Sequence, residues 1–311
     1  MNIEKEKRAI QYLRSFQPSN EPYFLCYSGG KDSDVVLTLS KLAGINYEAV
    51  HNLTTVDAPE TVRYIRNQPD IRIEKPPKTM WQLIVEKKMP PTRIVRYCCD
   101  KLKERGGKGR VKITGVRWEE SLSRKNNSGL IAVIGKPATA VKLAEKAGAV
   151  YHVNRKKVLV LNTDNDESRR FVELCYRTTS TLVNPIIDWT NQDVWAFLHH
   201  YGVRPNPLYE VKDVGSTYLC CGARRIGCIG CPMQGSSGMK MDFIRYPKYR
   251  DIYLRTFERM QNHRIETGMA PFGSDGYGGM TPRQIMMWWV GDDPRQLSLF
   301  GEPEYLKGSC L

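Results

Sequence analysis

The chain has 311 residues, with 47 Lys and Arg against 33 Asp and Glu for a net charge of +14, and nine cysteines. It is long enough for one large domain with appendages and has no apolar run near the roughly 18 residues of a membrane span; residues 1–7 also lack a secretory apolar stretch, so a cytoplasmic location without membrane contact is expected. In a reducing compartment nine cysteines point to metal or thiol chemistry before disulfides, and the charge favours a polyanionic partner, nucleic acid included.

Ile10, Leu13 and Phe16 stand at helical spacing and predict a helix within residues 1–22, ended by Pro18 and Pro22. Phe24-Leu25-Cys26-Tyr27 reads as a strand, and Val35, Val36, Leu37, Leu39 and Leu42 mark the helix that follows it. Tyr47-Glu48-Ala49-Val50-His51 is a second strand and residues 60–67 a helix. Ile71-Arg72-Ile73-Glu74 is a third strand, with a helix through Trp81, Leu83, Ile84 and Val85. Val111-Lys112-Ile113-Thr114-Gly115 is a fourth. Alternation of this kind implies βαβ units, hence an α/β fold with a doubly wound, mainly parallel sheet over residues 23–217. Residues 125–181 read as an insertion with an apolar strand at Val158-Leu159-Val160-Leu161. Asn184-Pro185 restarts the main pattern, and Thr190 with Asp193 forms a capping box before Val194, Trp195, Phe197 and Leu198. Residues 218–311, rich in Cys, Gly and aromatics, read as a C-terminal appendage.

Between the first strand and its helix lies Ser28-Gly29-Gly30-Lys31-Asp32-Ser33. Two glycines let the backbone turn tightly and approach a ligand. The N–H groups of the new helix then face an anion, with the helix dipole in support. Lys31 adds a mobile charge, and Ser28 and Ser33 add hydroxyl donors. The spacing is not that of a Walker A loop. Ligands on such sheets sit beyond the strand C-termini at the topological switch, where residues 28–33, 54–61 and 115–124 all fall.

The hexapeptide resembles the PP-loop of the adenine nucleotide α-hydrolase superfamily. Thr55-Val56-Asp57-Ala58-Pro59-Glu60-Thr61, the block from Thr114-Gly115-Val116-Arg117 to Ser123-Arg124, the run Asn184-Pro185-Ile186-Ile187-Asp188-Trp189, and Pro205-Asn206-Pro207-Leu208-Tyr209 follow in order. Together they are similar to the phosphoadenosine phosphosulfate (PAPS) reductase family over residues 20–124 and 182–235. The resemblance implies that ATP or an adenylyl sulfate, with Mg²⁺, is held by Ser28, Gly29, Gly30, Lys31, Asp32, Ser33, Asp57, Gly115, Arg117 and Arg124. Lys31, Asp32 and Arg117 are the expected catalytic residues. Arg117 and Arg124 can each offer phosphate or sulfate a planar fork of donors.

Cys98-Cys99 and Cys228-Ile229-Gly230-Cys231 form the other constellation. A Cys-x-x-Cys serves zinc, redox and iron–sulfur sites alike. An adjacent pair has divergent side chains, which suit two corners of a cubane better than one tetrahedral ion. The set resembles the [4Fe–4S] pattern of the adenylyl sulfate (APS) reductase branch, which implies Cys98, Cys99, Cys228 and Cys231 as ligands and Lys103 as the nearby cation. Structural zinc and free thiols remain open. So does a three-thiolate set of Cys221, Cys228 and Cys231. Cys26 and Cys175 read as small core residues.

The reductases' C-terminal Glu-Cys-Gly motif does not occur, although Cys310 lies near the end. The insertion and the run Met286-Met287-Trp288-Trp289-Val290 are closer to the PAPS-reductase-like proteins of DNA phosphorothioation (the Dnd and Ssp systems) and their phage relatives. That likeness implies an ATP pyrophosphatase and sulfurtransferase acting on a nucleic-acid phosphate, DNA or RNA, beside a cysteine desulfurase. The alternative is an APS or PAPS reductase that releases sulfite.

Overall fold

The computed structural model describes residues 2–134, 137–154, 156–175, 180–274, 279–295 and 301–307. It divides into two compact units, each discontinuous in sequence. The first comprises residues 1–51, 59–74 and 106–226, and the second 52–58, 75–105 and 227–311.

The first unit is built on an eight-stranded sheet flanked by helices. Its strands are β1 (Tyr23–Cys26), β2 (Tyr47–Asn52), β3 (Ile71–Glu74), β4 (Val111–Ile113), β5 (Ile131–Ile134), β6 (His152–Val153), β7 (Leu159–Leu161) and β8 (Ser180–Val183). Their order is β3-β2-β1-β4-β8-β5-β7-β6. β2, β1, β4 and β8 run parallel, with Leu25 opposite both Ala49 and Ile113. Leu25, Val111, Ile113 and Val183 are buried and form the apolar centre of these strands. The chain leaves β1 toward β2 on one side and reaches β4 on the other. The end of β1 is therefore the topological switch point.

The insertion does not stand apart. β5 pairs antiparallel with β8, and β7 and β6 continue the sheet from it, also antiparallel. Leu159–Leu161 is fully buried, so the apolar strand read from the sequence sits inside the extended sheet. A short hairpin, β9 (Val211–Val214) and β10 (Thr217–Cys220), completes the unit.

The second unit is helical. Its main elements are Met80–Lys87, a single π-turn at Cys99–Lys103, Gly235–Arg245, Pro247–Glu266 and Pro282–Val290. Thr79 with Gln82, and Thr281 with Gln284, close reciprocal capping boxes that fix two of the helix starts. The core is aromatic. Tyr253 lies 4.8 Å from Trp289, Phe257 stands perpendicular to Trp289 at 5.6 Å, and Trp81 meets Tyr253 edge-on at 4.7 Å. These offset and edge contacts favour the ring quadrupoles beyond plain burial. Residues 75–105 thus pack with the C-terminal region, whereas a linear reading divides the chain near residue 218. The packing of Met80–Lys87 on Pro247–Glu266 is the physical reason.

Candidate functional site

The sequence forces an unusual backbone after β1. Gly29 has φ +73, in the left-handed region, and a Cβ there would come within 2.9 Å of the Ile65 side chain. Only glycine satisfies both conditions without strain. Gly30 then caps the helix Lys31–Ala43 in extended geometry. The Ser33 hydroxyl accepts the Gly30 N–H at 3.1 Å and donates to the Gly30 carbonyl at 2.7 Å. Ser28 Oγ lies 3.3 Å from Ser33 Oγ. The turn is locked before any ligand arrives.

Residues from distant segments hold it in place. The Asn206 amide donates to the Gly29 carbonyl at 3.2 Å and to Thr61 Oγ1 at 3.1 Å. The Tyr209 hydroxyl accepts the Lys31 N–H at 3.1 Å. Both residues belong to the Pro-Asn-Pro-Leu-Tyr run, and nothing in their local pattern singled them out as part of the site.

The charges form a chain. Lys31 Nζ donates to both oxygens of Asp32, at 2.8 and 3.0 Å, and lies 5.9 Å above the Trp195 ring. Asp32 in turn accepts from Arg117 Nε at 2.7 Å. Arg117 is only 1 % exposed. Its remaining donors reach Glu119 Oε2 and the Trp189 carbonyl, each at 3.0 Å, and Asn191 Oδ1 at 2.9 Å. The guanidinium expected to face phosphate is thus occupied by protein groups and acts here as a clamp on Asp32. Gly115 explains the fit, because a Cβ there would lie 2.9 Å from the Asp32 backbone. Arg124 stands further out, 3.4 Å from Glu120, which also accepts the Arg117 N–H at 3.2 Å.

One turn into the same helix, Asp34 is buried and accepts from the Tyr27 hydroxyl. Burial pushes its carboxyl up to about 7. Below about pH 7 the protonated carboxyl adds no negative charge beneath the glycine turn.

The cysteine constellation lies in the second unit, and so does Asp57. The Asp57 carboxylate accepts the Thr54 N–H at 2.7 Å, and its backbone forms an isolated bridge with Cys228. The Tyr249 hydroxyl donates to the Asp57 carbonyl at 3.2 Å. The turn Cys228-Ile229-Gly230-Cys231 needs its glycine: φ is +72, and a Cβ would meet the Phe243 ring at 2.8 Å. Cys228 Sγ donates to Thr54 Oγ1 at 3.5 Å. Burial, with Asp57 adding to it, pushes the Cys228 thiol up to about 12, and Lys103 acts against the shift.

Cys98 and Cys99 enter the π-turn. The Cys98 thiol donates to Cys99, which raises the first and lowers the second to about 6. Arg96 Nη2 also donates to Cys99 Sγ at 3.2 Å. Cys228 and Cys231 add a smaller electrostatic push on the Cys98 thiol in the same direction. Lys103 is tethered through its carbonyl, which accepts from the Asn52 amide at 3.0 Å. Among the described residues, no three His, Cys, Asp or Glu side chains are placed to hold a metal ion. Cys221 is exposed and belongs to the first unit. Cys26 is half-buried at the end of β1. The Cys175 side chain and Cys310 lie outside the described residues.

A mostly parallel doubly wound sheet with a locked glycine turn and lysine at its switch point is the frame of a nucleotide-using α/β protein. Residues 22–234 match the family model described as "Phosphoadenosine phosphosulfate reductase domain", and the chain belongs to that family. It is 24 % identical over 273 residues to an uncharacterized protein of Methanocaldococcus jannaschii, covering 83 % of this chain and 52 % of that one. It is also 34 % identical over 64 residues to an "Uncharacterized 37.8 kDa protein in gpa 5'region" of Escherichia phage 186, covering 21 % of this chain and 16 % of the phage protein. The matches span about half the length of the archaeal relative and less of the phage one. Among the described residues, no helix is long and apolar enough to cross a membrane.

Proposed function

We propose that the chain binds ATP with Mg²⁺ at residues 28–33, releases pyrophosphate, and activates a phosphate of nucleic acid, DNA in the first instance, for sulfur insertion. The observation that carries the reading is the locked turn at the end of β1 with Lys31 inside it. A backbone phosphate oxygen is a poor leaving group. Its attack on the α-phosphorus of ATP forms one P–O bond and breaks the α–β bridge, and the electron pair leaves on pyrophosphate. Lys31, at the positive end of the helix dipole, stabilises that developing charge. Lys31 is neutralised by Asp32 in the free protein, so the incoming phosphates compete with Asp32 for it. Arg117 keeps Asp32 in place during that exchange. A cysteine desulfurase delivers sulfur as a persulfide. A thiol reductant supplies the two electrons that release it as sulfide, which attacks the activated phosphorus, forming the P–S bond and breaking the P–O bond to AMP. The sequence likeness to phosphorothioation proteins and the +14 charge support nucleic acid as the acceptor.

In this reading Cys98, Cys99, Cys228 and Cys231 hold a [4Fe–4S] cluster, with Lys103 beside it. The donor set supports this: the four thiols are half-buried, and a thiol pushed up like that of Cys228 stays protonated until a cationic partner stabilises the thiolate. Cubane ligands bind separate irons, so they need not converge as the ligands of one zinc ion do. Such a cluster would supply electrons or a soft site for sulfide.

A second reading, an APS or PAPS reductase releasing sulfite, is favoured by the Cys98-Cys99 pair with its downstream Lys103 and opposed by the missing Glu-Cys-Gly motif. One experiment separates the two. The chain is given ATP, a sulfide source and DNA, or else adenylyl sulfate and a reductant. Phosphorothioate linkages support the first reading, and sulfite with no DNA modification overturns it in favour of the second.

A further inference from the structure

In the second unit, Ile94 is 92 % exposed at the tip of a loop that is otherwise firmly anchored. Trp289 Nε1 donates to the Pro91 carbonyl at 2.6 Å, the Tyr97 hydroxyl to the Met89 carbonyl at 2.7 Å, and Arg264 Nη1 to the Lys88 carbonyl at 2.8 Å. The tip itself is closed by a tight turn. The Thr92 N–H donates to the Val95 carbonyl at 3.1 Å, and the Val95 N–H to Thr92 Oγ1 at 3.0 Å. A single exposed apolar side chain is ordinary on a loose loop. This one is presented by a braced turn between two arginines, Arg93 and Arg96. Arg93 makes no ion pair among the described residues. The surrounding residues 75–105 hold nine Lys and Arg against three Asp and Glu.

An apolar wedge with cations on both sides suits a stacked polyanion better than a protein groove. Proteins that unstack bases insert a side chain such as isoleucine between two steps while arginines take the phosphates. We infer that Ile94 is such a wedge: it enters between neighbouring bases of a bound nucleic acid, and Arg93 holds a flanking phosphate, while Arg96, bonded to Cys99 at 3.2 Å, adds its positive charge to the same surface. The inference rests on the nucleic-acid reading above, and it adds the surface that distorts the strand.

The test uses the full chain and duplexes carrying 2-aminopurine at several pyrimidine–purine steps, which unstack most easily. Binding should raise the fluorescence. Ile94→Ser should abolish the rise and weaken binding about tenfold, as expected for losing the burial of one isoleucine. Ile94→Leu should retain both. Arg93→Gln should lower the salt slope by about one. Pyrophosphate release from ATP alone should be unchanged in all three variants. Binding with no fluorescence change, or an Ile94→Ser variant identical to the parent, overturns the wedge and leaves the nucleic-acid reading standing. Self-association that Ile94→Ser abolishes while the DNA signals persist overturns it too, and assigns the tip to a second copy. Failure of every duplex and single strand to bind at low salt overturns the nucleic-acid reading and the wedge with it.

Discussion

Replacing Arg117 with Gln tests whether the guanidinium is a clamp or a free anion receptor. The substitution removes the donor to Asp32 at 2.7 Å and leaves the Trp189 carbonyl, in a buried residue, without its 3.0 Å partner. An unsatisfied buried carbonyl costs about 1–3 kcal/mol. Breaking a fully buried ion pair costs about 3–5 kcal/mol. The loss here should be smaller, because Lys31 still neutralises Asp32, and Glu119 is exposed enough for water to replace the lost donor. The expected total is about 2–4 kcal/mol, read as a fall in the urea midpoint at unchanged slope. Arg117→Lys keeps the charge without the planar fork and should fall between the two. In a double-mutant cycle with Asp32→Asn the two losses should be non-additive by 0.5 kcal/mol or more. A variant within about 0.5 kcal/mol of the parent, with ATP binding lost, would show that Arg117 serves the ligand alone and would refute the clamp.

Gly29→Ala should cost about 2–4 kcal/mol, combining a left-handed alanine with crowding against Ile65, and calorimetry would read it; a loss below 0.5 kcal/mol contradicts the turn described. Asp34 predicts a pH dependence. Its folded carboxyl titrates near 7 against an ordinary 3.8, so the stability gained by staying protonated is full below about pH 4 and is lost as pH rises through 7. Asp34→Asn should remove that slope, which amounts to about 4 kcal/mol at full size; a slope that survives in the variant refutes the assignment. Anaerobically purified protein should carry about four irons per chain, and Cys228→Ser should remove them. Iron retained after replacing both Cys98 and Cys99 would move the ligand set to Cys221, Cys228 and Cys231.

What the sequence reveals here follows from the range of the interactions. The strand–turn–helix around residues 28–33 was legible because an apolar run, two glycines and a helical stripe are local signals. The Thr190–Asp193 capping box was legible for the same reason. β5 and β6 were not, since one is a short apolar strand in a Gly/Ala-rich stretch and the other is two exposed residues at a sheet edge. The grouping of residues 75–105 with the C-terminal helices depends on contacts across more than a hundred and fifty residues. The site follows the same division. Lys31 and the glycines are read from the turn itself, whereas Tyr209 and Asn206 gain their roles only through tertiary contact. Arg117 shows the limit most clearly. Its residue type predicts affinity for an anion, and the fold makes that anion Asp32.

Product analysis with [α-³²P]- and [γ-³²P]-labelled ATP tests the central claim most directly, because it identifies the bond that the locked turn helps to break. With Mg²⁺ and nucleic acid present, the γ label should appear in pyrophosphate and the α label in AMP or an adenylylated strand. Lys31→Ala, which removes one phosphate contact while Arg117 still neutralises Asp32, should abolish both products in a chain that remains folded. Release of the γ label as orthophosphate, or a Lys31→Ala variant as active as the parent, would contradict the account.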